Sequence, residues 1–395
     1  MGLRGSVALF LLVACADKGP HETSISRDPG SQDAGEKSST DSEIVQSGDS
    51  LSAHRSDAVS ASPGFVFDTP GAFSVGYRTT TVTYDRPAGG GPRTLDVHLW
   101  YPSEDTDGAN PTYEKLFPDE GSLLDASLAP PAGDAYPLLI FSHGHRGFAG
   151  NAAFLMRHFA SHGWLAVAPD HTGNTLSDNI EPRPLSIYYL RSLDISAVLD
   201  ALTDLGEGDP LFGKLALDKV ILAGHSFGVH TAWASAGATF DMSALQVRCD
   251  ADPERVGCSA EDLAVFEGGL SDARIVGIIP MAGSINRDFF GPEGHKDVKI
   301  PILAMSGGAD PVGADTQFHS CSELDILWIE LEGGCHQTFG FGGCGTLEDS
   351  LGFQLVGAYA MAFARRHLLN DQSPEAQWLL DGSISLSDKV VLHRP

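Results

Sequence analysis

Val220-Ile221-Leu222-Ala223-Gly224-His225-Ser226-Phe227-Gly228, continued by the helix-compatible His230-Thr231-Ala232-Trp233-Ala234-Ser235-Ala236, is the stretch on which the fold turns. A short apolar run, a glycine-flanked serine and a helix-forming segment spell strand, sharp turn and helix. In an elbow of this kind the serine takes a strained backbone conformation that the flanking glycines permit, and its hydroxyl projects above the sheet. A bare G-x-S-x-G is weakly specific, so its setting carries the weight. The bland alternative is a serine in an ordinary strand-to-helix turn.

Upstream, Pro137-Leu138-Leu139-Ile140-Phe141-Ser142 leads into His143-Gly144-His145-Arg146-Gly147, an apolar strand running into a His-Gly loop. An oxyanion hole belongs there, because acyl transfer builds negative charge on a carbonyl oxygen that two preorganised backbone N–H groups can stabilise. The expected donors are the amides of His145, in the loop after the third strand, and of Phe227, the residue after the serine. His143 and His145 also read as a His-x-His metal pair. A catalytic zinc site takes three protein ligands as a rule, and no third is marked, so no metal and no organic cofactor is expected.

A serine nucleophile needs a base, and the base an orienting acid. Ile302-Leu303-Ala304-Met305-Ser306 reads as a strand followed by Gly307-Gly308-Ala309-Asp310-Pro311. Ile326-Leu327-Trp328-Ile329-Glu330-Leu331 reads as the next, followed by Glu332-Gly333-Gly334-Cys335-His336. Each candidate lies just past a strand end, on the edge where the serine emerges and in the chain order Ser, Asp, His. Asp310 is expected to hold the His336 imidazole in the tautomer that takes the serine proton. Taken alone, Asp310 reads as an Asp-Pro turn and His336 as a solvated loop histidine.

On Phe141-Ser142-His143-Gly144, Gly224-His225-Ser226-Phe227-Gly228 and Cys335-His336-Gln337-Thr338-Phe339, the chain resembles the α/β-hydrolase superfamily. Within it, the resemblance is to the serine esterases grouped with dienelactone hydrolases and platelet-activating-factor acetylhydrolases. Arg191-Ser192-Leu193-Asp194-Ile195, opening a helix before the elbow strand, also resembles bacterial members. The similarity spans residues 65–369 and implies a mostly parallel sheet with helices on both faces. Its motifs speak to fold and chemistry more than to substrate. Dienelactone hydrolases proper use a cysteine where this elbow has Ser226. In the acetylhydrolases the acid follows the sixth strand, whereas Gly277-Ile278-Ile279-Pro280-Met281-Ala282 has no acidic residue, which makes Asp310 after the seventh strand the better candidate.

The N-terminus reads as a targeting segment: Arg4, a short apolar stretch, then Leu12-Val13-Ala14-Cys15, which resembles the lipobox of bacterial lipoproteins. The apolar stretch is too short to span a bilayer. The expected organisation is a signal peptide over residues 1–15 with Cys15 lipidated, a disordered tether over 16–62 and a catalytic domain over 63–395. Residues 16–62 are rich in Ser, Asp, Gly and Glu and nearly devoid of aromatics, a composition that cannot bury enough surface to fold. An ordinary secretory peptide is the alternative, and either way the protein leaves the cytosol.

The remaining residues alternate between short apolar strands, read at 78–84, 95–101, 138–142, 164–168, 220–223, 275–280, 302–306 and 326–331, and helical patterns at 151–161, 190–205 and 351–367. That alternation reads as an α/β architecture. With 25 Lys and Arg against 52 Asp and Glu, the net charge of −27 argues against a phosphate backbone as partner, and no nucleic-acid partner is expected. Asp105-Thr106-Asp107-Gly108 lacks the bidentate Glu of a calcium loop and reads as an exposed turn. Residues 172–189 and 240–272 could border the substrate pocket. Their apolar side chains (Ile187, Tyr188, Tyr189, Leu245, Leu263, Phe266) read equally as local packing or acyl-binding surface.

Five cysteines remain after Cys15. Cys249 and Cys258 flank an Asp-Pro turn and can close a short loop. Cys321 precedes the strand at 326–331 while Cys335 and Cys344 lie beyond its far end, and six extended residues span about 20 Å against the 7 Å or so a disulfide tolerates. The expected pairs are Cys249 with Cys258 and Cys335 with Cys344, leaving Cys321 free. The whole reads as an extracytoplasmic, lipid-anchored serine hydrolase acting on a small-molecule, lipid or polymer ester. A catalytically silent binding module, an acyltransferase and an amidase are the alternatives on the same residues.

Overall fold

Among the described residues ten strands form one sheet, and its order places Ser226, Asp310 and His336 at one edge. The structure is a computed structural model that describes residues 66–395 apart from residue 253. The expected leader 1–15, the tether 16–62 and Cys15 lie outside the described residues. The sheet contains β1 (Ser74–Arg86), β2 (Gly91–Ser103), β3 (Tyr136–Ser142), β4 (Leu165–Pro169), β5 (Leu215–His225), β6 (Ile275–Met281), β7 (Ile302–Gly307), β8 (Ile326–Leu331) and β9 (Val390–His393), in the order β9-β8-β7-β6-β5-β3-β4-β2-β1. The two-residue strand Leu123–Leu124 pairs with β1 at the outer edge. From β4 to β8 all neighbours are parallel, while β1 with β2, β2 with β4 and β8 with β9 are antiparallel. This is the α/β-hydrolase fold.

The pleat divides the core in two. Tyr136, Leu138 and Ile140 of β3, with Val220 and Leu222 of β5, face one apolar cluster, and the intervening Leu139, Phe141, Ile221 and Ala223 face the other. Successive side chains of a strand point to opposite faces, so a strand covered on both faces reads as a continuous apolar run. Helices α2 (Ile187–Thr203) and α3 (Phe227–Ser235) cover the first face, and α1 (Ala153–Ser161) and α8 (Asp349–Leu368) the second. Residues 240–272 fold into two short helices, α4 (Met242–Ala251) and α5 (Ala260–Glu267), with Cys249 bonded to Cys258 between them. Ser259 and Asp262 cap α5 reciprocally.

Several elements escaped the sequence reading, two of them at the C-terminal edge of the sheet. Helix α9 (Pro374–Asp381) opens on Pro374 after Ser373, and β9 follows it, closing the sheet with His393 stacked on Trp328 at 3.9 Å. Four residues of β9 are too few for a periodic signal. Between β2 and β3, two-residue strands Thr112–Tyr113 and Phe117–Pro118 pair in a small ribbon.

A buried polar network lies under the carboxyl ends of the parallel strands. Asp194 of α2, with no exposure, accepts two hydrogen bonds from Arg93 at 2.6 and 2.7 Å, one from Tyr84 at 2.7 Å and one from His171 Nδ1 at 2.8 Å. His171 Nε2 accepts from the Ser142 hydroxyl at 3.0 Å, and the His171 amide donates to His143 Nε2 at 3.0 Å. Each of these buried polar groups has a partner, as a low-dielectric interior requires.

His143, His171, His225 and His230 are all buried. Burial depresses their pKa values, to about 4 for His171, to about 3 for His225 and His230, and well below the ordinary range for His143. The unfolded chain therefore binds protons at these four positions below about pH 6.5 that the native protein does not. Stability falls with falling pH across that window, by about 1.4 kcal/mol per pH unit for each fully titrated ring. Urea unfolding at pH 7, 6 and 5 is expected to show an uptake of about four protons from these groups near pH 5. A stability flat over this range would mean that the rings are solvated.

Candidate active site

Ser226 joins β5 to α3 with φ +56° and ψ −114°, a left-handed conformation that a residue other than glycine reaches at a cost of about 1–3 kcal/mol. The flanking glycines serve a different purpose from lending positive φ. A β-carbon on Gly228 would lie 2.0 Å from the Ser142 carbonyl oxygen, and one on Gly224 would lie 2.2 Å from the Gly228 carbonyl oxygen. Glycine lets the start of α3 press against the ends of β3 and β5, while the serine itself carries the strain. Its amide donates to the Met281 carbonyl of β6 at 2.9 Å, which pins the turn to the next strand.

Asp310 and His336 come from the loops after β7 and β8. Two backbone bonds stitch these loops together: Gly308 N–H to the Leu331 carbonyl at 2.9 Å and Ala309 N–H to the Gly334 carbonyl at 2.8 Å. The largely buried Asp310 carboxylate accepts from His336 Nδ1 at 2.9 Å. That bond directs the other ring nitrogen, Nε2, away from the acid. His336 opens a short turn, His336–Phe339, and the disulfide Cys335–Cys344 bridges the loop that carries it. Cys321 is buried and unpaired. The imidazole is tied to the elbow through its backbone: His225, the residue before the serine, donates from Nε2 to the His336 carbonyl at 3.0 Å, with the two rings 4.8 Å apart. Ser226 Oγ itself makes no hydrogen bond to His336.

The segment after β3 turns sharply, Gly147 N–H bonding to the Gly144 carbonyl at 3.1 Å. It packs on the serine, since a β-carbon on Gly144 would sit 3.1 Å from Ser226 Cβ. His145 follows in the turn, its ring edge-on to Phe227 at 6.4 Å, so the two residues expected to supply oxyanion donors are neighbours. Phe227 is the first residue of α3, where an N–H has no carbonyl one turn earlier to bond. His145 Nδ1 accepts from Asn174 at 2.7 Å and its Nε2 lies 3.4 Å from Glu181. Burial, reinforced by the Arg183 guanidinium, holds its pKa at about 4, so the ring is neutral near pH 7.

The His-x-His metal reading fails on geometry. His143 Nδ1 donates to the Gly144 carbonyl at 2.7 Å and its Nε2 accepts the His171 amide, which engages both nitrogens. Among the described residues no cluster of His, Cys, Asp and Glu could hold a metal ion.

A cavity of about 390 Å³ opens at the serine, lined by Ser226, Phe227, His230, Ile285, Asn286 and Asp288 among others. Its outer wall therefore comes from the segment after β6, which leads into α6 (Arg287–Phe290). None of the residues that line the cavity belongs to 172–189 or 240–272. Ile187, Tyr188, Tyr189, Leu245 and Phe266 are buried in the core, and Tyr188 stacks on Phe289 at 4.0 Å and meets Phe227 edge-on at 4.9 Å. Local packing is their role because each has a hydrophobic partner within the domain. Asp288 is taken up by Arg248 at 2.8 Å, and Asp315 begins α7 (Ala314–Ser320).

Sequence reasoning did not foresee the contacts of His225 with the His336 loop, of Asn174 with His145, or of Arg191 with Ser142, His143 and Asn174. The signal for the last was present: an arginine and an aspartate three residues apart inside a largely apolar helix, where buried charge needs an explanation.

No family model matches the sequence. Over 182 residues, 33% of this chain, it is 28% identical to platelet-activating factor acetylhydrolase of Cavia porcellus, and that match spans 41% of the relative's length. In three dimensions it is similar to a ferulic acid esterase from Streptomyces cinnamoneus, with a TM-score of 0.58 and 22% identity, covering 83% of this chain and 99% of that one. Together with the strand order and the placement of the elbow, these likenesses assign the chain the α/β-hydrolase fold.

Proposed function

We propose that the protein is a serine hydrolase that cleaves carboxylic esters through an acyl-enzyme. The observation that carries this reading is the Asp310 carboxylate on His336 Nδ1, at the same sheet edge as a serine held at positive φ. In the proposed cycle Ser226 Oγ attacks the ester carbonyl while His336 Nε2 takes its proton. Charge gathers on the carbonyl oxygen, toward which the amides of His145 and Phe227 donate. Collapse of the tetrahedral adduct expels the alcohol, which takes the proton from the imidazolium, and water then releases the acid by the same route. Asp310 keeps Nε2 free to accept and stabilises the imidazolium. The names of the two similar proteins, an acetylhydrolase and an esterase, support ester cleavage.

Purified protein is expected to turn over p-nitrophenyl acetate and butyrate and to react with a fluorophosphonate probe. Ser226→Ala should abolish both while leaving the circular dichroism spectrum unchanged. A variant that still labels at the wild-type rate would move the nucleophile elsewhere. Turnover without hydrolysis, with the acyl group found on an added alcohol or amine, would make the protein a transferase.

Asp310→Asn should lower kcat by about 10³- to 10⁴-fold, since an amide can leave the imidazole in the wrong tautomer. A near-normal rate there, with collapse in Asp288→Asn or Asp315→Asn, would reassign the acid.

We further propose that residues 1–15 direct export, that Cys15 is lipidated, and that residues 16–62 tether the catalytic domain of residues 63–395 to a membrane surface. Two disulfides support an oxidising compartment. No helix among the described residues is long and apolar enough to cross a membrane. The full chain is expected to partition into detergent and to lose that behaviour on Cys15→Ser. A mature N-terminus at any other residue, found by mass spectrometry, would refute the anchor.

A further inference from the structure

Arg191 of α2 has no exposure, and no carboxylate lies within hydrogen-bond reach of its guanidinium. Its four hydrogen bonds all go to neutral groups. One terminal nitrogen donates to the His143 carbonyl and to Ser142 Oγ, the latter at 3.0 Å. The other donates to Asn174 Oδ1 at 2.8 Å, and Nε donates to Thr231 Oγ1 of α3 at 3.1 Å. The guanidinium carbon lies 4.6 Å from the Phe227 ring centroid, within cation–π range.

These partners define two arms. The His143 carbonyl and Ser142 are the last residues before the turn that holds His145, and Asn174 passes the hold on to His145 Nδ1. Thr231 and Phe227 belong to the first turns of α3, whose leading amide is Phe227's. One planar fork thus spans the gap between the two chain segments that carry the proposed oxyanion donors. A planar guanidinium can make these bonds at fixed mutual angles, whereas the ammonium of a lysine is a point charge on a flexible stem.

The charge matters as well as the fork. In the network beneath the loop, Arg93 is matched by Asp194, and His143 and His171 are neutral near pH 7 because burial depresses them. Arg191 is left as the unmatched positive charge. A buried cation without a partner is costly and is kept where its field has a use. Behind a site where an oxyanion develops, that use is electrostatic stabilisation.

We infer that Arg191 is a positioning residue for the oxyanion hole, locking the His145 turn to the start of α3 and supplying the fixed positive charge behind both donors. This rests on the ester-hydrolase reading of Ser226. Wild-type turnover that disappears in Ser226→Ala establishes that reading first, and an inactive wild type would overturn both.

With turnover established, Arg191→Lys is expected to lower kcat about 100-fold with KM within about threefold of wild type. The inhibition constant of a trifluoromethyl ketone, which forms a tetrahedral oxyanion on the serine, should rise by the same factor. Asn174→Ala, which leaves the guanidinium in place and cuts only the link to His145, should act in the same sense by about tenfold. Leu355→Ala, in the core on the far side of the sheet, shows what lost stability alone does to these constants. The inference is overturned if both variants match Leu355→Ala in kcat, or if KM rises as kcat falls while inhibitor affinity is unchanged. Should Arg191→Lys not fold, Asn174→Ala decides on the same criteria.

Discussion

The approach of α3 to the ends of β3 and β5 is the constraint on which the site depends. A single added β-carbon at residue 228 would overlap the Ser142 carbonyl oxygen, so no other residue type fits without moving a backbone. Because the helix starts so close, the chain has no room to ease out of the strand. The serine absorbs the turn at φ +56°. The same proximity puts the Phe227 amide beside the segment that leaves β3. The strain at Ser226 and the pairing of His145 with Phe227 are two results of one packing contact.

That contact needs support from below. The parallel strands end on a layer of buried polar side chains in which Asp194 is neutralised by Arg93 and the donors and acceptors of Ser142, His143 and His171 match one another. A half-satisfied network in this position would cost more than an apolar core. Complete pairing makes it rigid instead, and rigidity is what a preorganised dipole site requires. The loops after β7 and β8 are braced differently, by two backbone bonds and by the disulfide Cys335–Cys344. His336 thus gains its orientation from Asp310 and its position from the chain around it.

The cavity illustrates how a long insertion can mislead. Residues 240–272 are polar in sequence and follow the elbow helix, which suggests a covering loop. In the folded domain they bury Leu245 and Phe266 and form two capped helices closed by a disulfide. The wall of the cavity comes instead from a short stretch after β6, Ser284 to Asp288, with no distinguishing composition.

Local chemistry was enough to determine part of this protein from sequence. Apolar runs of five or six residues separated by helical periods specify a mostly parallel sheet, and a serine between glycines at a strand-to-helix junction specifies an elbow. Asp310 and His336 were legible because a strand end fixes which sheet edge a following residue occupies. Span alone sufficed to separate Cys321 from Cys335 and Cys344. Tertiary structure alone decided the rest: that Arg191 faces both arms of the His145–Phe227 region, that His225 holds the His336 carbonyl, that His143 is a strut and no metal ligand, and that β9 completes the sheet. These depend on groups far apart in the chain arriving at the same place. A one-dimensional pattern reports which face a residue occupies, but not which partner it meets there.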